Sequence, residues 1–173
     1  MNVKARLGTA AAPLAGLMVV LAGCSAGGDT EDRSRFEALE QEALDVVDGV
    51  LHDIAGETDM AFEAGTRATS ICGESYAPRG VKLRVFARFA APAEMATDDA
   101  MAATGEALTG DGWELDPQPR ERIVLATRED LEIRFDFAGV VQVHITAGCI
   151  ETSDGVAREI GDRPTKDLDW ADG

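Results

Sequence analysis

Histidine occurs only twice in this 173-residue chain, at His52 and His144, and cysteine three times, at Cys24, Cys72 and Cys149. None of these five residues stands at the short ligand spacing of a zinc or haem site, so no metal and no cofactor is expected. The chain has neither a G-x-G-x-x-G turn nor a P-loop, which leaves nucleotide chemistry without its phosphate cradle. Basic residues are also scarce, 16 against 32 acidic ones, for a net charge of −16. A field of that sign repels nucleic acid and anionic headgroups unless a local basic patch opposes it. Long apolar runs are missing too. The strongest, Leu14 to Ala22, falls well short of the roughly 20 residues that a membrane-spanning helix needs.

What the N-terminus does have is Lys4 and Arg6, no acidic residue before Cys24, and then Ala, Leu, Val, Gly and Met from Leu7 to Gly23, interrupted mainly by Thr9 and Pro13. A positive start followed by an apolar core is the layout of a secretory signal. The run ends in Leu21-Ala22-Gly23-Cys24, an aliphatic residue and two small ones before a cysteine. This tetrapeptide resembles the lipobox of bacterial lipoproteins. The resemblance implies a diacylglyceryl group on the Cys24 sulfur, with acyl chains such as palmitate, and cleavage just before Cys24. It also implies residence on the extracytoplasmic face of the cell membrane. Two acyl chains hold where a single one binds reversibly, each buried CH₂ adding about 0.8 kcal/mol. An ordinary secretory signal with an incidental cysteine, or an uncleaved anchor, is the alternative.

Loss of residues 1–23 removes Lys4 and Arg6 and no acidic residue, so the mature net charge moves from −16 to −18. Residues 24–173 have the length of one ordinary domain. With Cys24 assigned to lipid, Cys72 and Cys149 form an even pair in an exported chain, where oxidising conditions favour a disulfide. Two inert buried thiols are the alternative.

Along the mature chain, residues 24–33 are small, Gly-containing and charged, which predicts a flexible tether. Ser34 and Glu37 have the S-x-x-E spacing of a capping box, and Phe36, Leu39, Ala43, Val46, Val47, Val50 and Ile54 then recur at helical steps up to Gly56. A short strand over 67–72 and a loop over 73–80 follow. Val81 to Phe89 alternates cleanly, the pattern of a half-buried strand. Pro92 suits the first turn of a second helix reaching Leu108, whose small residues Ala96, Ala100, Ala103 and Ala107 share a stripe. Residues 113–115, 121–127, 131–137 and 140–147 read as further strands, the last three with connections of hairpin length. The segment 151–173 reads as an acidic, poorly periodic and partly disordered tail whose Trp170 can dock.

The expected architecture is α+β: a two-layer sandwich with an antiparallel sheet and two helices on one face, in a single domain over 34–150. Signal, tether, helix, strand, helix and strands ending at a cysteine form a layout similar to that of small uncharacterised lipoproteins of high-GC Gram-positive bacteria. That similarity of layout implies no particular activity.

Catalytic constellations are weak. Gly73-Glu74-Ser75-Tyr76-Ala77 is half of a G-x-S-x-G nucleophile elbow, lacks the last glycine, and would have to recruit His52 or His144 from distant elements. Asp167 to Gly173 echoes a calcium loop, but its third acidic residue comes one position late. The sequence therefore assigns no catalytic residue. An envelope-associated hydrolase with an unidentified site is the alternative to the preferred reading, a surface-displayed binding or interaction module. For that module the candidate face is the solvent side of the sheet. If Val81, Leu83 and Val85 face the helices, Lys82, Arg84, Phe86 and Arg88 face away, as do Arg134 and His144. A basic strand in an acidic protein fits an envelope protein or a small anionic ligand as partner. A solvated face neutralised by Glu132 and Asp136 is the plainer account.

Overall fold

In a computed structural model of the protein, residues 26–118 and 120–170 are described. The expected signal peptide, Cys24 and the last three residues lie outside them. The elements are α1 (Ala26–Val46), a π-helical turn (Val47–Leu51), α2 (His52–Glu57), β1 (Phe62–Glu74), β2 (Ala77–Ala90), α3 (Thr97–Gly110) and β3 (Glu114–Leu115). β4 (Ile123–Arg128), β5 (Leu131–Ala138), β6 (Val140–Ala147), β7 (Ile150–Glu151), α4 (Asp154–Gly161) and β8 (Lys166–Asp167) complete the chain. The strands form one antiparallel sheet in the order β3-β4-β5-β6-β2-β1-β8, with β7 pairing β2 beyond the end of β6. This is the expected α+β sandwich, with three helices where two were expected, because α1, the π turn and α2 run on as one and α4 joins them.

Alternation makes the sheet two-faced. Along β2, Val81, Leu83, Val85, Ala87 and Phe89 are buried, and along β5 and β6 so are Ile133, Phe135, Val141, Val143 and Ile145. Phe36, Leu39, Ala43, Val46, Val47, Val50, Leu51 and Ile54 cover that face from the first helix, each of them except Ala43 contributing on the order of 1.5–3 kcal/mol when fully buried. The π turn at Val47–Leu51 rotates the stripe, so that Val46 and Val47, then Val50 and Leu51, all reach the core.

The first helix starts at Ala26, not at Ser34, so the expected tether over 24–33 is helical from residue 26. Tertiary hydrogen bonds explain the difference. Asp29 accepts from the Ser153 hydroxyl at 2.6 Å, Asp32 accepts from the Ser153 amide at 2.8 Å, and Arg33 pairs with Glu159 at 2.6 Å. Arg35 also donates to the Glu151 carbonyl.

Segment 151–173 departs from the expected loose tail for the same reason. Ser153 caps α4, whose Val156, Ala157 and Ile160 are fully buried against β1 and β2. A side chain at Gly161 would collide with Ile71, so only glycine lets the helix end lie this close to β1. β8 then extends the sheet, and Trp170 stacks on Phe62 at 4.8 Å and on His52 at 5.0 Å.

The expected loop over 73–80 is instead a hairpin. Glu74 pairs with Ala77 across the two-residue turn Ser75-Tyr76, and Gly73 takes φ +94° to enter it. Helix α3 begins at Thr97, with Ala96 extended before it, and Pro92 stays outside. Its buried positions are Ala100, Thr104, Gly105 and Leu108, rotated from the expected alanine stripe. The disulfide joins Cys72 to Cys149 with Cα atoms 6.1 Å apart, linking the end of β1 to the chain just before β7. No described helix is long and apolar enough to cross a membrane.

Candidate functional site

All three helices pack on the apolar face, so the other face of the sheet stays open, with side chains exposed or half-buried. Pairing register builds that face in rows. Leu125, Arg134, His144, Phe86 and Thr66 stand side by side on β4, β5, β6, β2 and β1. On one side of this row run Thr127, Glu132, Thr146, Arg84 and Ala68, and on the other Ile123, Asp136, Gln142, Arg88 and Ala64. Strands lie about 4.8 Å apart, so Arg134 and Phe86, two strands distant, flank His144 within about 10 Å. Lys82, Arg84, Phe86, Arg88, Arg134 and His144 thus share one surface, as the alternation predicts.

Their charges are not equally neutralised. Arg88 Nε meets Glu63 at 2.7 Å, with both side chains largely exposed, and Arg134 Nη2 meets Asp136 at 3.2 Å on the same strand. Among the described residues neither Lys82 nor Arg84 has a carboxylate within ion-pair distance, and Glu132 takes no part in an ion pair. Arg134 Nε is buried without a hydrogen-bond partner among the described residues, a state that costs about 1–3 kcal/mol. The Phe86 and His144 rings contact each other, centroids 5.2 Å apart and tilted by 50°. Burial, and after it the positive charges of Arg134 and Arg84, hold the His144 imidazole below its usual pKa of 6.5, while Asp136 pulls the other way. Neutral His144 therefore sits between two cations.

Several concavities lie elsewhere, two of them sizeable. An apolar groove of about 540 Å³ runs along the β4 edge, lined by Met101, Gly105, Leu115, Val124 and Leu125 among others. Leu125 belongs also to the central row, so the groove adjoins the basic face. Sequence reading missed it because α3, β3 and β4 meet only through tertiary packing, although Leu115, large and exposed beside a buried Trp113, marks the place. A second cavity of about 450 Å³ is lined by Arg35, Leu39, Glu42, Asp130, Cys149 and Glu151 among others. Neither cavity is lined by a serine or a histidine.

The elements of a hydrolase triad are not brought together. Ser75 is in the β1–β2 turn, while His52 stacks on Trp170 beside Phe62 at the other end of β1. Thirteen residues of strand separate those ends, on the order of 40 Å. His144 pairs with Phe86, eleven residues along the hairpin from Ser75, on the order of 35 Å. Among the described residues no group of three or more His, Cys, Asp or Glu could hold a metal ion. Comparison with known proteins finds no family model, no curated protein and no solved structure that matches this chain.

Proposed function

We propose that the protein is a lipoprotein anchored through Cys24 on the extracytoplasmic face of the cell membrane, where it acts as a binding module whose open sheet face takes an anionic ligand. The observation that carries the ligand class is the uncompensated basic row: Arg84 has no carboxylate partner among the described residues, and Arg134 has only Asp136. In a mature chain of net charge −18, cations that merely kept the protein soluble would be redundant. Set around Phe86 and a neutral His144, they supply a fork for a carboxylate or phosphate and an aromatic surface for a flat group. A turn of the Arg134 side chain toward solvent lets one bound carboxylate accept from Nε and Nη2 together. Anchoring is supported by the lipobox, and export by the disulfide between Cys72 and Cys149.

The test uses benzoate, which joins a carboxylate to a flat ring. Titrated into the mature domain, it should shift the NMR signals of Arg84, Phe86, Arg134 and His144 together and saturably. Shifts scattered over the surface, or none, would remove the ligand reading. Detergent partitioning and intact mass test the anchor separately: a mature product without the diacylglyceryl mass would sink it.

A further inference from the structure

The start of α1 and the tip of the β1–β2 hairpin point to the same end of the molecule. Helix α1 runs opposite to β1: its Glu40 meets Arg67 at 3.2 Å, and His52, further along, reaches the Trp170 ring that stacks on Phe62. From Glu40 back to Ala26 is fourteen residues of helix, about 21 Å. From Cys24 to Ala26 is two residues, adding at most about 7 Å. From Arg67 to the strand end at Glu74 is seven residues, about 23 Å, with the turn Ser75-Tyr76 just beyond. The start of α1 and the end of the hairpin therefore extend about equally far from the same cross-strand level.

Neither end is loose. Ser153 holds Asp29 and Asp32 in the first turns of α1, and β7, just before it, pairs Glu151 with Gly80 four residues from Tyr76. Arg158 of α4 donates to the Ser75 carbonyl at 2.9 Å and braces the turn itself. At the tip stands Tyr76, the one tyrosine of the chain, with 79% of its surface exposed. Tyrosine has an apolar ring and a polar hydroxyl, the combination that settles at the headgroup level of a bilayer. Arg79 and Arg158 are exposed near it, but so are Glu74, Glu151 and Asp154. That mixture opposes deep burial and suits a contact confined to the headgroup layer.

We propose that the hairpin tip is a second membrane contact, with Tyr76 seated among the headgroups beside the lipid on Cys24. This rests on the anchor reading above. It converts a tether into a two-point stand: the strands rise from the membrane, and the row through Phe86, ten residues from Tyr76, faces sideways about 33 Å above the tip. The occupant is the membrane that holds the lipid, since only Ser25 lies between Cys24 and the helix start at Ala26, so a lipid on Cys24 holds the bilayer within about 7 Å of that end of the molecule.

The full chain, processed in cells and reconstituted in phosphatidylcholine vesicles containing phosphatidylglycerol, is photolysed with p-azidophenylalanine at position 76 or, as the distal control, at position 94. Residue 94 lies past the far end of β2, so the Tyr76→p-azidophenylalanine protein should give about tenfold more phospholipid adduct than the Glu94→p-azidophenylalanine protein. Equal yields from a protein whose mass includes the diacylglyceryl group would overturn this contact while leaving the anchor in place. A product lacking that mass would overturn both.

Discussion

His144 is the most informative single residue of the open face, because its charge state reports on everything around it. Its pKa is lowered by burial and by Arg134 and Arg84, so it stays neutral at pH 7. Its proton NMR titration should fall below pH 6.5 in the free protein and move upward when benzoate places a negative charge beside it. A midpoint unmoved by the ligand would argue against binding at this row. The sign for stability follows from the same shift. Between the folded and unfolded pKa values the unfolded chain binds more protons, so stability is complete above about pH 6.5 and is lost as the pH falls through the folded value. Replacing His144 by Gln should flatten that acid-side slope in denaturant melts. Arg88 behaves differently, since its exposed pair with Glu63 contributes only about 0–1 kcal/mol, and Arg88→Ala should leave the melt almost unchanged.

Among the elements, α1 and α4 stabilise each other through Ser153. Its hydroxyl caps the Val156 amide and donates to Asp29, so Ser153→Ala removes a helix cap and a tertiary bond at once. A loss of about 1–2 kcal/mol is expected in urea unfolding, and an unchanged midpoint would mean that the clamp is idle. The disulfide acts over a longer range. With Cys72 and Cys149 separated by 77 positions, its removal should cost about 4 kcal/mol in the chain-entropy model, and less if the reduced chain stays compact. Elements whose stability is local were legible in the sequence. The alternation of 81–89, 131–137 and 140–147 follows from one buried and one wet face, and it alone puts Lys82, Arg84, Phe86, Arg88, Arg134 and His144 on the wet one. The rest depends on partners far away in the chain. The inward positions of β1 are Gly65, Arg67, Thr69 and Ile71, which carry little apolar signal. Leu168 fills the space over Gly65, Glu40 pairs with Arg67, and the Ile160 carbonyl accepts from Thr69. Residues 26–33 are likewise poor helix formers by composition, and their helix depends on Ser153 and Glu159.

At the scale of the whole molecule, an acidic protein sets three exposed cations, Lys82, Arg84 and Arg88, along one strand of an otherwise uncovered sheet face. In the proposed arrangement one end holds a membrane and this face is left free for a ligand. Cys24→Ser should give a chain that is unprocessed or released from membranes, and fractionation of cells expressing it would show this. The proposed ligand face turns on Arg84, exposed and without an ion pair among the described residues. Benzoate affinity of the wild-type domain and of Arg84→Glu, measured by NMR titration beside thermal melts of both, tests it most directly. A charge-assisted hydrogen bond is worth roughly 1.5–3 kcal/mol, so affinity should fall at least about tenfold. Stability should change by no more than about 0.5 kcal/mol, as at other exposed sites. Equal affinities with equal melts would contradict the account, and the open face would then be solvated surface and nothing more.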